Sequence, residues 1–233
     1  MELTHIFSWT FAYDFIQGPM VWIAFIVFFL GTVFQVFRFF SLMKKKPIQT
    51  LKAGPGRFIT RIPSGKEKTD WVMALKLSIV GVNPFMTILS TIFHVLLVIL
   101  PLFVLGHNIL LDNAFGISLV SLPESVSDSL TLVVVACALV FLYRRLFLYR
   151  VKIITTFGDF LFLILAAAPF VTGYLAYHQV GVDYKIMVSL HILFGELMLM
   201  AVPFTKFVHM IYLLIVRFTV VSEYGLGKGN RTW

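Results

Sequence analysis

The chain has little cysteine and little charge, and both shortages limit what it can be. Cys137 is its only cysteine, so an intrachain disulfide is impossible, and an iron–sulfur cluster, which needs about four thiolates, is excluded. No Cys-x-x-Cys-His motif occurs, which excludes covalent c-type haem. Charged residues make up only 13% of the 233 residues, against about 25% in soluble domains. With 59% hydrophobic residues and a mean hydropathy of +0.93, the composition indicates a membrane protein.

Long apolar runs predict the fold. A helix needs about 20 apolar residues to cross the hydrocarbon core of a bilayer. Five segments qualify: 17–40, 84–106, 126–147, 156–177 and 186–217. We therefore predict an all-α membrane protein, a single domain over 1–233 built as a bundle of five transmembrane helices. Glu2 is acidic where a cleavable signal would be positive, so the first run is expected to remain as a membrane helix.

The charges predict how the bundle is oriented. The net charge is +8, and the basic residues follow the first, third and fifth segments, whereas the other connections are mostly acidic. The positive-inside rule then gives an outside N-terminus and a cytoplasmic C-terminus, as expected for a multi-pass protein of a bacterial inner membrane. Because these charges lie in loops and not on a soluble domain, nucleic acid is not an expected partner.

The connection 41–83 is the only sizeable loop, and it is basic. Prolines and glycines break it, and residues 71–80 then read as a short interfacial helix. Two interpretations stay open: the loop is anchored on anionic membrane lipid, or it is a docking platform for a cytoplasmic protein.

Four histidines lie in two of the apolar segments, where an ionisable side chain is costly and therefore points to function. His94 and His107 belong to the second segment, and His191 and His209 to the fifth. These segments run in opposite directions, so depth pairs His107 with His191 on the outer side and His94 with His209 on the inner side. Each pair could hold one metal centre, and haem is the expected group because histidine is a standard axial ligand of its iron.

The two segments differ in the helical phase of their histidines. His191 and His209 are 18 residues apart, which is five turns at about 3.6 residues per turn, so on one continuous helix they share a face. His94 and His107 are 13 residues apart, and at about 100° per residue they lie roughly 140° apart in azimuth. His107 is therefore a ligand only if the helix is distorted near Pro101.

Without such a distortion, His178 at the outer end of the fourth segment is the reserve ligand, and His5 is more remote. The alternative interpretation of all these histidines is a set of hydrogen-bonded structural residues or a proton path.

Three further residues are candidates near the histidines. Gly195, one turn past His191, would let a porphyrin approach the helix, although small residues also serve ordinary helix packing. Lys206 lies within the fifth segment and would pair with a propionate of the inner haem. Glu196 is a carboxyl in the outer half of the membrane, which would accept a quinol proton or, alternatively, hydrogen-bond a neighbouring helix.

The histidine motifs carry a resemblance to a known family. The runs 191–195 (HILFG) and 203–209 (PFTKFVH) resemble the last helix of the gamma subunit of respiratory nitrate reductases, and the second segment is similar at 93–94 (FH) and 103–107 (FVLGH). His94 and His107 are spaced more widely than in that subunit. In this respect the chain looks closer to the cytochrome b subunits of the Tmc, Hmc and Dsr redox complexes of sulfate reducers.

The resemblance implies a function. It implies two haem b groups, an inner one on His94 and His209 and an outer one on His107 and His191. The subunit would pass electrons across the membrane between a periplasmic multihaem cytochrome c or the quinone pool, with menaquinone as a candidate, and a cytoplasmic iron–sulfur subunit similar to heterodisulfide reductase. No catalytic residue is assigned, and the direction of electron flow stays open. The alternative is a haem-free membrane anchor or proton-conducting subunit.

Overall fold

A computed structural model describes residues 9–44 and 83–219, and the regular structure of these two ranges is helical. The α-helices are α1 (Trp9–Phe15), α2 (Val21–Lys44), α3 (Pro84–Phe103), α4 (Leu105–Phe115), α5 (Glu124–Phe147), α6 (Tyr149–Lys152), α7 (Phe157–Tyr177), α8 (Tyr184–Ala201) and α9 (His209–Thr219). A π-helical turn, Ile16–Met20, joins α1 to α2, and a 3-10 turn, Lys206–Val208, precedes α9.

Five helical segments of the described chain are long and apolar enough to cross a membrane. They are Phe11–Leu42, Pro84–Phe103, Glu124–Phe147, Phe157–Tyr177 and Tyr184–Ala201. The prediction of an all-helical protein with five candidate spans is therefore confirmed. The inside and outside assignment stays a prediction, and the proposed interfacial helix at 71–80 and His5 lie outside the described residues.

The second span ends earlier than predicted. Residues 84–106 were expected to form one helix, but α3 ends at Phe103, and Val104 is extended, with φ −71° and ψ 133°. Pro101 lies just upstream, and proline lacks an amide hydrogen and crowds the preceding helical turn. The chain resumes as a separate helix, α4, which ends at Gly116 in the left-handed region with φ 66°.

The prediction of one continuous fifth helix over 186–217 is wrong. Helix α8 ends at Ala201, and α9 begins only at His209. Pro203 lies within the break, where it cannot donate an intrahelical hydrogen bond. Thr205 organises the new turn, because its Oγ1 donates to the Ala201 carbonyl at 2.7 Å and accepts from the Phe207 amide at 3.3 Å.

The spanning helices pack as an arc. Helix α2 packs on α8, α8 on α7, α7 on α5, and α5 on α3. Apolar side chains from α3, α5 and α7 form the core; they are Phe93, Leu96, Leu100, Val134, Cys137, Ala138, Ala166 and Phe170. Within the described residues, α3 and α8 are not closely packed on each other. In this arc, α5 and α7 lie between α3, which carries His94, and α8, which carries His191.

The two ends of the bundle differ in charge. We call the end that contains Lys44, the last residue of α2, the basic end, and the opposite end the acidic end. At the basic end, Asp159 ties three segments together: its Oδ1 lies 2.7 Å from Lys206 Nζ and 3.8 Å from Arg145 Nη1, and its Oδ2 accepts from the Thr156 amide at 2.8 Å.

Candidate functional site

The four histidines meet as two pairs of rings. At the acidic end, the His107 and His191 ring centroids are 5.8 Å apart and the ring planes are inclined by 17°. Towards the basic end, the His94 and His209 centroids are 5.9 Å apart and the planes are inclined by 84°. We call these the acidic-end pair and the basic-end pair. Their membership matches the pairing that depth along the segments gives, while their role as ligands stays a prediction.

The break at Val104 gives His107 its position. On an unbroken α3, His107 would lie roughly 140° from His94. The extended residue instead starts a new helix, and His107 Nδ1 lies 2.8 Å from the carbonyl oxygen of Pro101. The distortion on which this histidine depended is therefore present, and its hydrogen bond crosses the break itself.

Helix α7 holds His191 from the side. The His191 Nδ1 lies 2.8 Å from the Pro169 carbonyl oxygen, 22 residues away in sequence. Gly173, one turn further along α7, lies directly beneath the ring: a Cβ on this residue would lie 2.8 Å from His191 Cε1 and 2.9 Å from Nδ1. Only glycine therefore leaves room for the imidazole in this position.

The basic-end pair is held by its own chain segments. The His94 Nδ1 lies 2.7 Å from the Ser90 carbonyl oxygen, one turn back in α3. The His209 Nδ1 lies 2.6 Å from the Lys206 carbonyl oxygen, which the 3-10 turn exposes. Both side chains are exposed, whereas the acidic-end pair is half-buried.

One hydrogen-bonding rule applies to all four rings. A carbonyl oxygen can only accept, so each Nδ1 carries the hydrogen and donates. In the neutral imidazole, Nε2 is then left with a free lone pair. A hydrogen bond from the other ring nitrogen to a backbone carbonyl is the support that metal-bound histidines normally have, because it fixes both the tautomer and the ring orientation. Each pair thus offers two oriented nitrogen ligands.

Open space lies beside the helix that carries His191. A Cβ on Gly195, one turn from His191, would meet nothing within 4 Å, so open space borders α8 there. Each pair joins two different helices, α4 with α8 for His107 and His191, and α3 with α9 for His94 and His209. In the described part of the chain, no group of three or more histidine, cysteine or acidic side chains could hold a metal ion.

Three other candidates have the following surroundings. Lys206 was expected to pair with a propionate, and the structure gives its ammonium a protein partner, Asp159, at 2.7 Å. His178, the reserve ligand, lies instead with its Nε2 3.1 Å from Asp128 Oδ2. Glu196 is only 4% exposed, and neither of its carboxyl oxygens has a hydrogen-bond partner among the described residues.

Two residues of α7 that position His191 were missed from the sequence. Pro169 supplies the accepting carbonyl and Gly173 supplies the space. A signal was present, because Ala166, Pro169 and Gly173 are spaced by three and four residues, which places them on one helix face. Small residues on a membrane helix mark a close approach, but they do not say which side chain approaches.

Comparison with known proteins finds a relative that matches almost the whole chain. A protein of Nitratidesulfovibrio vulgaris (strain Hildenborough) is 34% identical over 220 residues, which cover 94% of this chain and 96% of that protein. Its name, "Protein", states no activity. No protein-family model and no solved structure match the chain.

Proposed function

We propose a function for the family to which this chain and the Nitratidesulfovibrio vulgaris protein both belong: a membrane subunit that carries two b-type haems and passes electrons across the bilayer. The observation that carries the proposal is that the four histidines form two pairs. In both pairs, every histidine donates from Nδ1 to a backbone carbonyl and keeps Nε2 free. A structural histidine also needs an acceptor for its N–H, but it has no need to lie beside a second histidine whose Nε2 is free as well.

Haem fits this donor set better than a bare metal ion. A porphyrin supplies four nitrogens, so its iron needs only the two imidazoles that each pair provides. Haem would supply one-electron redox chemistry, and the protein would hold and orient it and adjust its potential. His107 and His191 would hold one haem and His94 and His209 the other, while the open space beside Gly195 would admit a porphyrin edge.

The charge distribution supports a direction for the assembly. With the basic end in the cytoplasm, the basic-end haem would face a cytoplasmic iron–sulfur subunit similar to heterodisulfide reductase, and the acidic-end haem a periplasmic multihaem cytochrome c or the quinone pool. Lys206 is 62% exposed and uses one N–H on Asp159, so its ammonium keeps donors for a haem propionate. The relative's origin in a sulfate reducer agrees with the resemblance to sulfate-reducer complexes.

Glu196 is the proposed proton site. A buried carboxyl without a partner is costly, which favours a role in function over structural hydrogen bonding. Glu196 is five residues past His191 on the same helix, so a menaquinol oxidised near the acidic-end haem would have a proton acceptor within the bundle. The same unpartnered carboxyl supports the second candidate, a haem-free anchor or proton conduit in which the histidines relay protons.

Optical spectroscopy separates the two candidates. The protein, expressed with full haem supply and purified in detergent, should show b-type bands in its reduced-minus-oxidised spectrum and about two haems per chain. Replacing any one of the four paired histidines with alanine should remove one haem, and combining the two replacements of one pair should remove no more than that one. His178→Ala is the matched control and should keep both. Absence of b-type bands, with normal helicity by circular dichroism, would leave the proton conduit.

A further inference from the structure

A groove at the basic end is lined by none of the four paired histidines. It has a volume of about 620 Å³ and lies between α2 and the broken segment that leads into α9. Pro203 and Tyr212 form its wall on one side, and Gln35, Arg38 and Phe39 on the other. Gly31 allows this close approach of α2, since a Cβ there would lie 2.6 Å from Pro203 Cγ.

A fixed amide lies at the base of the groove. Gln35 is only 7% exposed; its Nε2 donates to the Pro203 carbonyl at 2.6 Å, and its Oε1 accepts from the Tyr212 hydroxyl at 2.7 Å. These bonds identify the orientation of the amide and leave one N–H of Nε2 unused. The groove thus has a fixed hydrogen-bond donor, held by Pro203 in the break and by Tyr212 in α9.

Arg38 adds a cation at the rim. It is exposed and has no acidic partner in the part of the chain that the structure describes. Arg38 precedes Lys44 by six residues, or roughly 9 Å at 1.5 Å per residue, so its long side chain can extend to the headgroups at the basic end. A guanidinium at that depth calls for an anion, and it binds phosphate with two parallel hydrogen bonds.

The remaining walls are apolar. Leu42 and Phe204 are 59% and 62% exposed, so apolar side chains line the open side of the groove. An amphiphile is therefore the fitting occupant: an anionic, acceptor-rich head for Arg38 and Gln35, and a hydrocarbon chain for the apolar rim.

We propose that this groove is a binding site for an anionic phospholipid, whose phosphate lies on Arg38 and whose acyl chain follows Phe39, Leu42 and Phe204. A neutral quinone would leave the guanidinium without a counter-charge. By bridging α2 and the Pro203 break, the bound lipid stabilises the turn from which α9 starts. The proposal does not depend on haem, because none of the groove residues is one of the paired histidines.

The test uses the full chain in nanodiscs of phosphatidylcholine, with and without phosphatidylglycerol. Phosphatidylglycerol should raise the unfolding temperature of the unaltered protein, and mass spectrometry should find it retained after detergent washing. Arg38→Gln should abolish the rise and lower retention about tenfold, the value of one charged hydrogen-bond contact. Arg38→Lys should keep part of both. Arg150→Gln, an exposed arginine of α6 outside the groove, should behave as the unaltered chain.

Three outcomes would overturn the proposal. One is equal retention of phosphatidylglycerol by the Arg38→Gln and unaltered chains. Another is an equal loss in Arg150→Gln, which would mean that general basic charge attracts the lipid. The third is recovery of a quinone in place of phospholipid, lost in Arg38→Gln, which would assign the groove to a redox ligand. Circular dichroism verifies that each variant is folded, and Arg38→Lys provides the charge-retaining comparison.

Discussion

The two histidine pairs have the same composition and nearly the same centroid separation, 5.8 and 5.9 Å, yet they are held in different ways. The acidic-end pair is half-buried and has nearly parallel rings. Its Nδ1 atoms donate to the carbonyls of two prolines, Pro101 and Pro169, and Pro169 lies on the neighbouring helix α7. The basic-end pair is exposed and has nearly perpendicular rings. Its Nδ1 atoms donate to carbonyls that lie three and four residues earlier in the same chain segment. Tertiary packing fixes the first pair, and local backbone geometry fixes the second.

This difference predicts how each pair responds to change. A ligand held by another helix has its orientation set before any cofactor binds, so a small steric change on that helix is enough to displace it. A ligand held by its own turn follows that turn, so the pair tolerates changes elsewhere in the bundle. The acidic-end pair should therefore be the more sensitive to packing, and the basic-end pair to the integrity of the segment 202–209.

The largest effect is expected from Gly173→Ala. The added Cβ would meet the His191 ring at 2.8 Å, so the ring must move and lose its hydrogen bond to Pro169. We expect loss of the acidic-end haem and retention of the basic-end haem, measured as haem per chain and by redox titration. Gly158→Ala makes the same change on the same helix, where the added Cβ would lie 3.7 Å from Phe162 Cε2 in ordinary contact, and it should retain both haems. Two haems in Gly173→Ala would mean that α7 does not position His191.

A second prediction concerns the ring angles themselves. In a haem with two imidazole ligands, the angle between the imidazole planes sets the energy difference between two of the iron d orbitals. When the planes are perpendicular, these two orbitals have nearly the same energy. The oxidised protein should therefore give two low-spin ferric signals in electron paramagnetic resonance, with the more anisotropic one from the basic-end pair at 84°. His94→Ala should remove that signal, and His191→Ala the other one. Two identical signals would contradict the difference between the pairs.

The smallest effect is expected from Asp159→Asn. This change weakens the link from Lys206 to α5 and α7, just before His209. Because Lys206 is 62% exposed, each pair of charges contributes less than about 1 kcal/mol, so we expect a modest rise in haem loss from the basic-end site alone. Asp128→Asn, which removes the partner of His178 at the acidic end, should not affect that site. Haem release from each variant on mild heating measures the difference.

Sequence periodicity was most reliable where one physical signal dominated. Runs of apolar residues predicted five candidate spans because bilayer thickness sets helix length, and the described residues contain five. His191 and His209 share a face only on one continuous helix. The chain breaks at 202–208, where Pro203 lies, and the two rings reach their partners from separate helices. A helix distortion near Pro101 was the condition for His107 to be a ligand, and the break lies three residues away, at Val104.

The sequence by itself determined the apolar spans, the charge asymmetry and the pairing of the histidines by depth, because these follow from composition and order along the chain. Only the tertiary structure decided how the rings are held. Pro169 and Gly173 act on His191 from another helix, and Gln35 and Tyr212 meet at a break that neither of them causes. Such contacts depend on which helices become neighbours and at what register, and side-chain periodicity within one helix carries no information about its neighbour.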